Sequence, residues 1–199
     1  MKDVKEMLKL GFVLAIYATV ACVGLAFVYA GTSKIIAERQ KEDLEASLQE
    51  LFPRMDAFED VTDSIASPDT SVTFQIVYKI RQSGETIGLA IQASGASYGG
   101  PIKILTGVGT DAKIIRVKVL EHADTPGLGA NAASPTYYVD KTKKITFTGQ
   151  FSEKPASHAF IVKEDVAAIT ASTITSRAAA NVVKASAQAA AAYLGGYTK

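Results

Sequence analysis

The stretch "VTFQIVYKIRQSGETIGLAIQAS", residues 72–94, decides the fold class, because two segments alternate between apolar and polar residues on either side of Gly84. Alternation with a period of two turns one face of each segment towards a core, which is typical of half-buried strands. A glycine between two such segments is typical of a tight turn. The stretch therefore predicts an antiparallel β-hairpin.

Further strands are predicted downstream. The segments "PIKILTGVG" (101–109) and "AKIIRVKVLE" (112–121) predict a second hairpin around Thr110 and Asp111. The apolar residues in "KITFTGQF" and "HAFIV" (144–151 and 158–162) predict additional strands.

A helix is predicted from about Thr175 to Leu194, stopped by Gly195 and Gly196. Hairpins followed by a single late helix predict an antiparallel α+β domain. A dinucleotide-binding fold is disfavoured, because the sequence has no βαβ rhythm and no GxGxxG after a strand.

The N-terminal region carries a long apolar run, "LGFVLAIYATVACVGLAFVYAGTS", residues 10–33, between Lys9 and Lys34. As a helix it would measure roughly 35 Å, enough to cross a hydrocarbon core of about 30 Å. Residues 1–33 are therefore predicted to form a short tail and a transmembrane helix. Lysines and arginines flank both ends almost equally, but a short tail is easily retained in the cytoplasm, which favours an extracytoplasmic body.

Three alternatives stay open for this segment. The "VYA" before Gly31 would suit signal-peptide cleavage, although the apolar run is long for a signal peptide. The pair Gly11 and Phe12 resembles a prepilin junction, but Ile16 stands where pilins have a glutamate. A buried core helix of this length would be unusual.

Between the apolar run and the first hairpin, "SKIIAERQKEDLEASLQELF" (33–52) has apolar residues at helical spacing and is followed by Pro53. It predicts an amphipathic helix, and "ASPDTS" (66–71) predicts a turn. We therefore assign residues 34–66 to a helical connector and residues 67–199 to the globular domain.

Composition excludes several classes of function. The 21 lysines and arginines nearly balance the 20 acidic residues, which gives no electrostatic case for nucleic-acid binding. Cys22 is the only cysteine, which excludes an intrachain disulfide framework and a cysteine-cluster metal site. His122 and His158 are too few for a histidine-rich metal centre, and structural or surface roles are expected for both.

Two loops have the composition of binding loops. In "SGASYGGPI" (94–102), the glycines allow the backbone to approach a ligand closely. The loop "EHADTPGLGANAASP" (121–135) is long for a hairpin connection and holds one aliphatic residue, Leu128, between Gly127 and Gly129. Plain connecting loops, with Leu128 packed into the core, are the alternative interpretation.

A third stretch, "DVAAITASTITSRAAANVV" (165–183), carries five hydroxyls in seven residues, at Thr170, Ser172, Thr173, Thr175 and Ser176. Capping of the following helix needs only one of them. A helix N-terminus offers free amides and the positive end of a dipole, and so favours a phosphate group. A threonine hydroxyl there could bind a phosphate or be esterified to it.

The motifs "YGGPI", "HADTPGLG" and "TASTITSR" follow one another behind an N-terminal apolar run. The chain thereby resembles, over essentially its whole length, the FMN-binding RnfG subunit of the Rnf electron-transport complex. It is also similar to a relative, the corresponding FMN-binding subunit of the sodium-pumping NADH:quinone oxidoreductase, which is usually longer.

This resemblance implies that FMN is phosphoester-linked to the last threonine of a motif approximating Asp-x-x-(Ser/Thr)-Gly-Ala-Thr, which is Thr173 here. Thr170 fits the Ser/Thr position. Ala167, Ala171 and Ser172 depart from the motif's Asp, Gly and Ala. The family's usual Glu-Thr-Pro-Gly-Leu-Gly also appears with an aspartate first.

The resemblance further implies an electron-carrying subunit of an ion-translocating ferredoxin:NAD oxidoreductase, which would not turn over substrate alone. Its partners would be the other Rnf subunits and the lipid bilayer of the inner (cytoplasmic) membrane. The quinone-reductase subunit, a pilin-like structural protein and an anchored, non-redox binding domain for a phosphorylated ligand are the alternatives. No catalytic or metal-binding residue is predicted. The predicted FMN-binding residues are Thr173, which would carry the covalent bond, and Tyr98, Gly99, Gly100, Thr125, Pro126, Gly127, Leu128, Gly129, Thr170, Ser172, Ile174, Thr175 and Ser176.

Overall fold

The computed structural model describes residues 2–197, except the side chains at positions 2, 3, 37, 40, 196 and 197. Met1, the start of the predicted tail, and residues 198–199, the end of the predicted domain, lie outside the described residues. The chain divides into two compact units, Met1–Ala46 and Ser47–Lys199.

The first element, α1, is a single helix over Lys2–Leu51. The predicted membrane-spanning run and the predicted amphipathic helix are therefore parts of one helix, because the first proline of the chain is Pro53. The helix ends where that proline was expected to end it. It is long and apolar enough to cross a membrane, and its apolar side chains between positions 10 and 33 are exposed. The domain limits at residues 33 and 66 stay predictions.

The globular unit is built on a five-stranded antiparallel sheet whose strands neighbour one another in chain order. Both predicted hairpins are present, and the first turns at Ser83 (φ 52°) and Gly84 (φ 84°), the geometry of a type I′ turn. The predicted antiparallel α+β fold is thus confirmed. The strands are β1 (Ala57–Asp60), β2 (Val72–Gln82), β3 (Glu85–Ala96), β4 (Pro101–Gly109) and β5 (Ile114–Glu121).

Strand β1 lies in the segment that the sequence analysis assigned to a helical connector. Its four residues, AFED, are too few and too polar to show an alternating pattern. Pairing with the edge of β2, from Ala57 opposite Arg81 to Asp60 opposite Tyr78, holds them extended.

The strands predicted at 144–151 and 158–162 are mostly absent from the described structure, and this expectation was wrong. A short ladder joins β6 (Tyr138–Asp140) to β7 (Ile145–Thr146), and a 3₁₀ turn follows. Phe147, Phe151 and Phe160 are buried; the first two rings pack edge to face, and the last two are tilted against each other. The apolar pattern of these two segments therefore comes from aromatic side chains that reach the core from loops.

The second helix, α2, covers Thr173–Tyr197. It begins two residues earlier than predicted and passes through the glycines expected to stop it, because a helical glycine costs only about 1 kcal/mol. Its alanines and valines pack on β3 and β4. A Cβ at Gly95 would lie 2.8 Å from Val182 Cγ2, so the glycine permits this close approach.

The last turn of α1 covers the opposite face of the sheet. Leu48, Leu51 and Phe52 are buried there. A Cβ at Gly88 would lie 2.8 Å from the Phe52 ring, and one at Gly107 would lie 3.0 Å from it. The two glycines leave the space that the ring fills, so residues 48–52 belong to the core of the globular unit.

Glu50, next to these apolar residues, accepts a hydrogen bond from Lys118 Nζ at 2.6 Å and lies 3.6 Å from Arg116 Nη1. Hydrogen bonding to Lys118 and the charges of both cations hold its pKa below the ordinary value of 4.5.

The ion pair between Glu50 and Lys118 is half exposed, so we expect Glu50→Gln to lower the free energy of unfolding at pH 7 by less than about 1 kcal/mol. A depressed carboxyl pKa stabilises the fold above pH 4.5, and this contribution disappears as pH falls through the folded-state pKa. Urea titrations of both proteins should therefore differ at pH 7 and converge in acid; a constant difference would contradict this.

Candidate functional site

The three sequence stretches with binding-loop composition meet at one cavity in the globular unit. Its volume is about 480 Å³, within the range of small-molecule sites. The walls come from the β3–β4 loop, the loop after β5 and the start of α2. The lining residues are Tyr98, Asp124, Thr125, Leu128, Gly129, Ala171, Ser172, Thr173, Ile174 and Thr175.

Asp124 ties two of these walls together. Its carboxylate accepts hydrogen bonds from Ser97 Oγ at 2.7 Å and from the Gly99 amide at 2.8 Å, and the residue is only 5% exposed. A Cβ at Gly99 would collide with the Ala123 carbonyl oxygen. The glycine is therefore required for the two loops to approach each other.

Gly129 brings the loop after β5 against the start of α2. A Cβ there would lie 2.6 Å from Thr175 Oγ1 and 2.7 Å from Asp124 Cβ. The conformation of the loop thus depends on the missing side chain at this position. Gly127, the other glycine of "TPGLG", has no such contact, because no atom lies within 4 Å of the position that a Cβ would take there. Its φ is +77°.

The start of α2 presents unpaired donors at the cavity. The Ser172 carbonyl accepts the Ser176 amide at 3.0 Å, which makes Ser172 the N-cap and leaves the amides of residues 173–175 without intrahelical acceptors. Among the described residues, the hydroxyls of Ser172, Thr173 and Thr175 have no hydrogen-bond partner. Ser172 is 8% and Thr175 2% exposed. These groups form a donor set suited to an anion such as a phosphate.

The rim of the cavity is apolar. Tyr98 is 72%, Leu128 42% and Ile174 56% exposed. All three line the cavity, and apolar side chains grouped at the mouth of a cavity suit the apolar part of a ligand. The alternative placement of Leu128 in the core does not occur.

Several predicted residues do not line the cavity. The Ser176 hydroxyl is fully buried, accepts the Ile169 amide at 3.0 Å and donates to the Ser172 carbonyl at 2.9 Å. The Ser176 hydroxyl therefore supports the segment before α2 from the protein interior. Gly99 acts through its amide, and Thr170 faces Tyr137. The remaining predicted residues outside the lining are Gly100, Pro126 and Gly127.

Four residues of the site were not predicted: Asp124 and Ala171, which line the cavity, and Tyr137 and Gln150, which support the segment before α2. The hydrogen bond between the side chains of Tyr137 and Thr170, and then the bond that the Thr170 amide donates to the phenolic oxygen, hold the pKa of Tyr137 below its ordinary value. Gln150 bonds both backbone groups of Ala167. The only sequence signal was for Asp124, the first residue of the "DTPGLG" motif.

The two histidines do not line the cavity. His158 Nε2 lies 3.0 Å from Asp165 Oδ2, and its ring packs edge-on against Phe160. Within residues 2–197, as far as their side chains are described, the structure brings together no group of three or more His, Cys, Asp or Glu that could hold a metal ion.

The residues present fit a flavin mononucleotide. Amides and hydroxyls at the start of α2 suit its phosphate, and the apolar rim suits an aromatic ring system. Glycines 99 and 129 let the three walls come close enough to enclose such a ligand. The donors and the rim belong to the same cavity, as a ligand with one anionic and one apolar end requires.

Two family models match the chain. The FMN-binding domain matches residues 97–188, which include the cavity, and the RnfG N-terminal region matches residues 1–51. The first match confirms FMN as the predicted cofactor.

Similar proteins cover nearly the whole chain, and each is the subunit designated G of its complex. The one from the proton-translocating ferredoxin:NAD(+) oxidoreductase complex of Clostridium ljungdahlii is 28% identical over 98% of this chain and 97% of its own length. The one from the Na(+)-translocating ferredoxin:NAD(+) oxidoreductase complex of Acetobacterium woodii is 29% identical over 94% and 92%. The one from the ion-translocating oxidoreductase complex of Aliivibrio fischeri is 31% identical over 89% and 87%.

Proposed function

The chain belongs to the RnfG family of subunits of the ion-translocating oxidoreductase complex, and from this premise we propose that it carries FMN covalently on Thr173. In this role it is an electron-transfer subunit of a ferredoxin:NAD oxidoreductase complex. The observation that supports the proposal most directly is the unpaired donor set at the start of α2, which includes the Thr173 hydroxyl and lines a cavity.

The proposed bond is a phosphoester between Thr173 Oγ1 and the phosphorus of FMN. An activated flavin nucleotide, with its phosphoryl group in a pyrophosphate, would supply the group. The threonine oxygen replaces the nucleotide leaving group, and the hydroxyl proton is released. The product keeps one negative charge, which the amides of residues 173–175 and the hydroxyls of Ser172 and Thr175 would hold.

The apolar rim provides for the other end of the cofactor. Tyr98, Leu128 and Ile174 would cover part of the ring system and exclude water from it. FMN, when bound, supplies the capacity to accept and donate electrons, and the protein sets its position and access. The exposure of the same rim leaves the cofactor reachable by a redox partner.

We also propose that α1 anchors the chain as a single membrane-spanning helix and that the flavin domain lies on the extracytoplasmic side. The length and apolar composition of α1 support the anchor. The other subunits of the complex would be its partners, as the names of the similar proteins suggest.

Denaturing gel electrophoresis tests the covalent bond. Full-length protein made in cells that contain the flavin-attaching enzyme should give a fluorescent band after denaturation, and its mass should exceed that of the chain by one flavin phosphoryl group. Protein from cells without that enzyme is the control. A chain of unmodified mass that loses its yellow colour on denaturation would contradict the covalent bond while leaving FMN binding intact.

A matched pair of truncations tests the division of the chain. Removal of residues 1–33 should give a soluble, folded domain that accepts flavin, because it leaves Leu48, Leu51 and Phe52 in place. Removal of residues 1–52 deletes all three, at about 2–5 kcal/mol each, which exceeds the stability of many domains. Circular dichroism and thermal melting should find a cooperative transition only in the first. Aggregation of both proteins would contradict a single anchor.

A further inference from the structure

The segment between β7 and α2 that precedes the proposed attachment site, residues 167–172, lies outside the strands and helices. Ala171 adopts φ +58°, in the left-handed region. A side chain with a Cβ disfavours this conformation, whereas glycine adopts it without steric cost. Because Thr173 follows two residues later, the turn at Ala171 determines where the Thr173 hydroxyl and the first amides of α2 face.

Side chains from three different parts of the chain hold this segment. Gln150 accepts the Ala167 amide at 2.7 Å and donates to the Ala167 carbonyl at 3.2 Å. Ser176 Oγ accepts the Ile169 amide at 3.0 Å. The hydrogen bonds of residues 167 and 169 are thus satisfied upstream of the turn.

Tyr137 provides the support closest to the turn. Its phenolic oxygen accepts the Thr170 amide at 3.2 Å and lies 3.4 Å from Thr170 Oγ1. Thr170 is the residue directly before Ala171. Loss of this support would leave the left-handed turn dependent on the short hydrogen-bonded turn from the Ile169 carbonyl to the Ser172 amide.

Tyr137 does not line the cavity, but its backbone belongs to the loop that forms the opposite wall. It lies at the end of the long loop after β5, the same loop that carries Asp124, Leu128 and Gly129. Ser134 Oγ accepts the Tyr137 amide at 3.1 Å and thereby fixes the tyrosine backbone. One side chain therefore links the loop that forms one wall to the segment that forms the other.

We propose that Tyr137 is a positioning residue: its bond to Thr170 holds the left-handed turn at Ala171, and so presents Thr173 to the flavin-attaching reaction. Tyr137 does not touch the reacting atoms; it acts through the backbone of residues 170–172. The proposal rests on the proposed attachment at Thr173 for its flavin readout, but not for its backbone readout.

The experiment compares the wild-type chain with Tyr137→Phe, Ala171→Gly and the double variant. Tyr138→Phe is the matched control, because it removes a hydroxyl from the neighbouring tyrosine, whose side chain has no hydrogen-bond partner among the described residues. The initial rate of covalent flavin incorporation is followed by intact-mass spectrometry. Hydrogen exchange at residues 170–172 is measured in flavin-free protein, and thermal melting checks that each variant is folded.

Tyr137→Phe should incorporate flavin about fivefold more slowly, the factor that one hydrogen bond worth about 1 kcal/mol contributes. The Thr170 amide should exchange about fivefold faster, and Tyr138→Phe should match the wild type in both measurements. Ala171→Gly should restore the rate of the Tyr137→Phe chain, because glycine adopts the left-handed turn without support.

Wild-type incorporation by Tyr137→Phe would overturn the proposal, and so would a slow double variant, since the defect would then not arise from the turn. If the wild-type chain carries no flavin on Thr173, the attachment proposal fails by itself. Hydrogen exchange then decides the role of Tyr137: unchanged exchange at residues 170–172 in Tyr137→Phe overturns it, and faster exchange restored by Ala171→Gly supports it. Melting below the assay temperature in Tyr137→Phe but not in Tyr138→Phe would also overturn it, since Tyr137 would then support the whole fold.

Discussion

A chain carrying Thr173→Ala should hold no covalent flavin and should still fold with nearly wild-type stability. Within the described structure, the Thr173 hydroxyl lines the cavity without a hydrogen-bond partner, so its removal breaks no bond of the apoprotein. Thr173 is the first residue of α2, and alanine has a higher helix propensity than threonine. We therefore expect the free energy of unfolding to change by less than about 0.5 kcal/mol.

Two matched variants make this measurement specific. Thr173→Ser keeps a hydroxyl on the same carbon and should retain covalent flavin. Thr170→Ala removes a hydroxyl that faces Tyr137 and does not line the cavity, and it should retain at least part of the flavin. In-gel fluorescence after denaturation and intact mass report the outcome. A fluorescent Thr173→Ala band would show that another residue carries the phosphoester.

The sheet was predictable from sequence because its information is local. The alternation in residues 72–94 and 101–121, interrupted by short polar turns, determines both the hairpins and the faces that become buried. Strand β1 was not predictable in the same way, since its four residues become extended only by pairing with β2. The segments with the buried phenylalanines at 147, 151 and 160 show the opposite error, a strand predicted where there is a loop. Their apolar residues are spaced as in a strand, but the side chains fill the core from loops.

The candidate site was predictable to the level of its loops. Glycine-rich composition and clustered hydroxyls indicated three stretches, and the structure places all three around one cavity. The contacts that join them were not predictable, because they connect residues far apart in the chain. Asp124 reaches Gly99 across 25 positions, and Tyr137 reaches Thr170 across 33. The backbone conformation at Ala171 had only an indirect signal, the glycine of the family motif at this position, since an alanine by itself does not indicate a left-handed turn.

The wall formed by Gly129 gives a second large expected effect. Gly129→Val must place a Cβ that would lie 2.6 Å from Thr175 Oγ1 and 2.7 Å from Asp124 Cβ, with two further methyl groups beyond it. Asp124 cannot move away freely, because Ser97 and the Gly99 amide hold its carboxylate. Thr175 lies in the first turn of α2 and is equally confined. We expect the free energy of unfolding to fall by about 3 kcal/mol, the upper end for overpacking.

The same change should remove most of the flavin, because the loop can make room only by moving the wall that it shares with the donors of α2. Gly127→Ala is the matched control: its φ of +77° makes alanine unfavourable by about 1–2 kcal/mol, but no atom lies within 4 Å of the new Cβ. This control should lose stability while keeping its flavin. Urea unfolding, with flavin absorbance per denatured chain, separates the two effects. Equal flavin loss in both variants would mean that the cavity responds to loop stability in general, whereas loss in Gly129→Val alone would identify the contact of Gly129 with Thr175 and Asp124 as the feature that shapes the site.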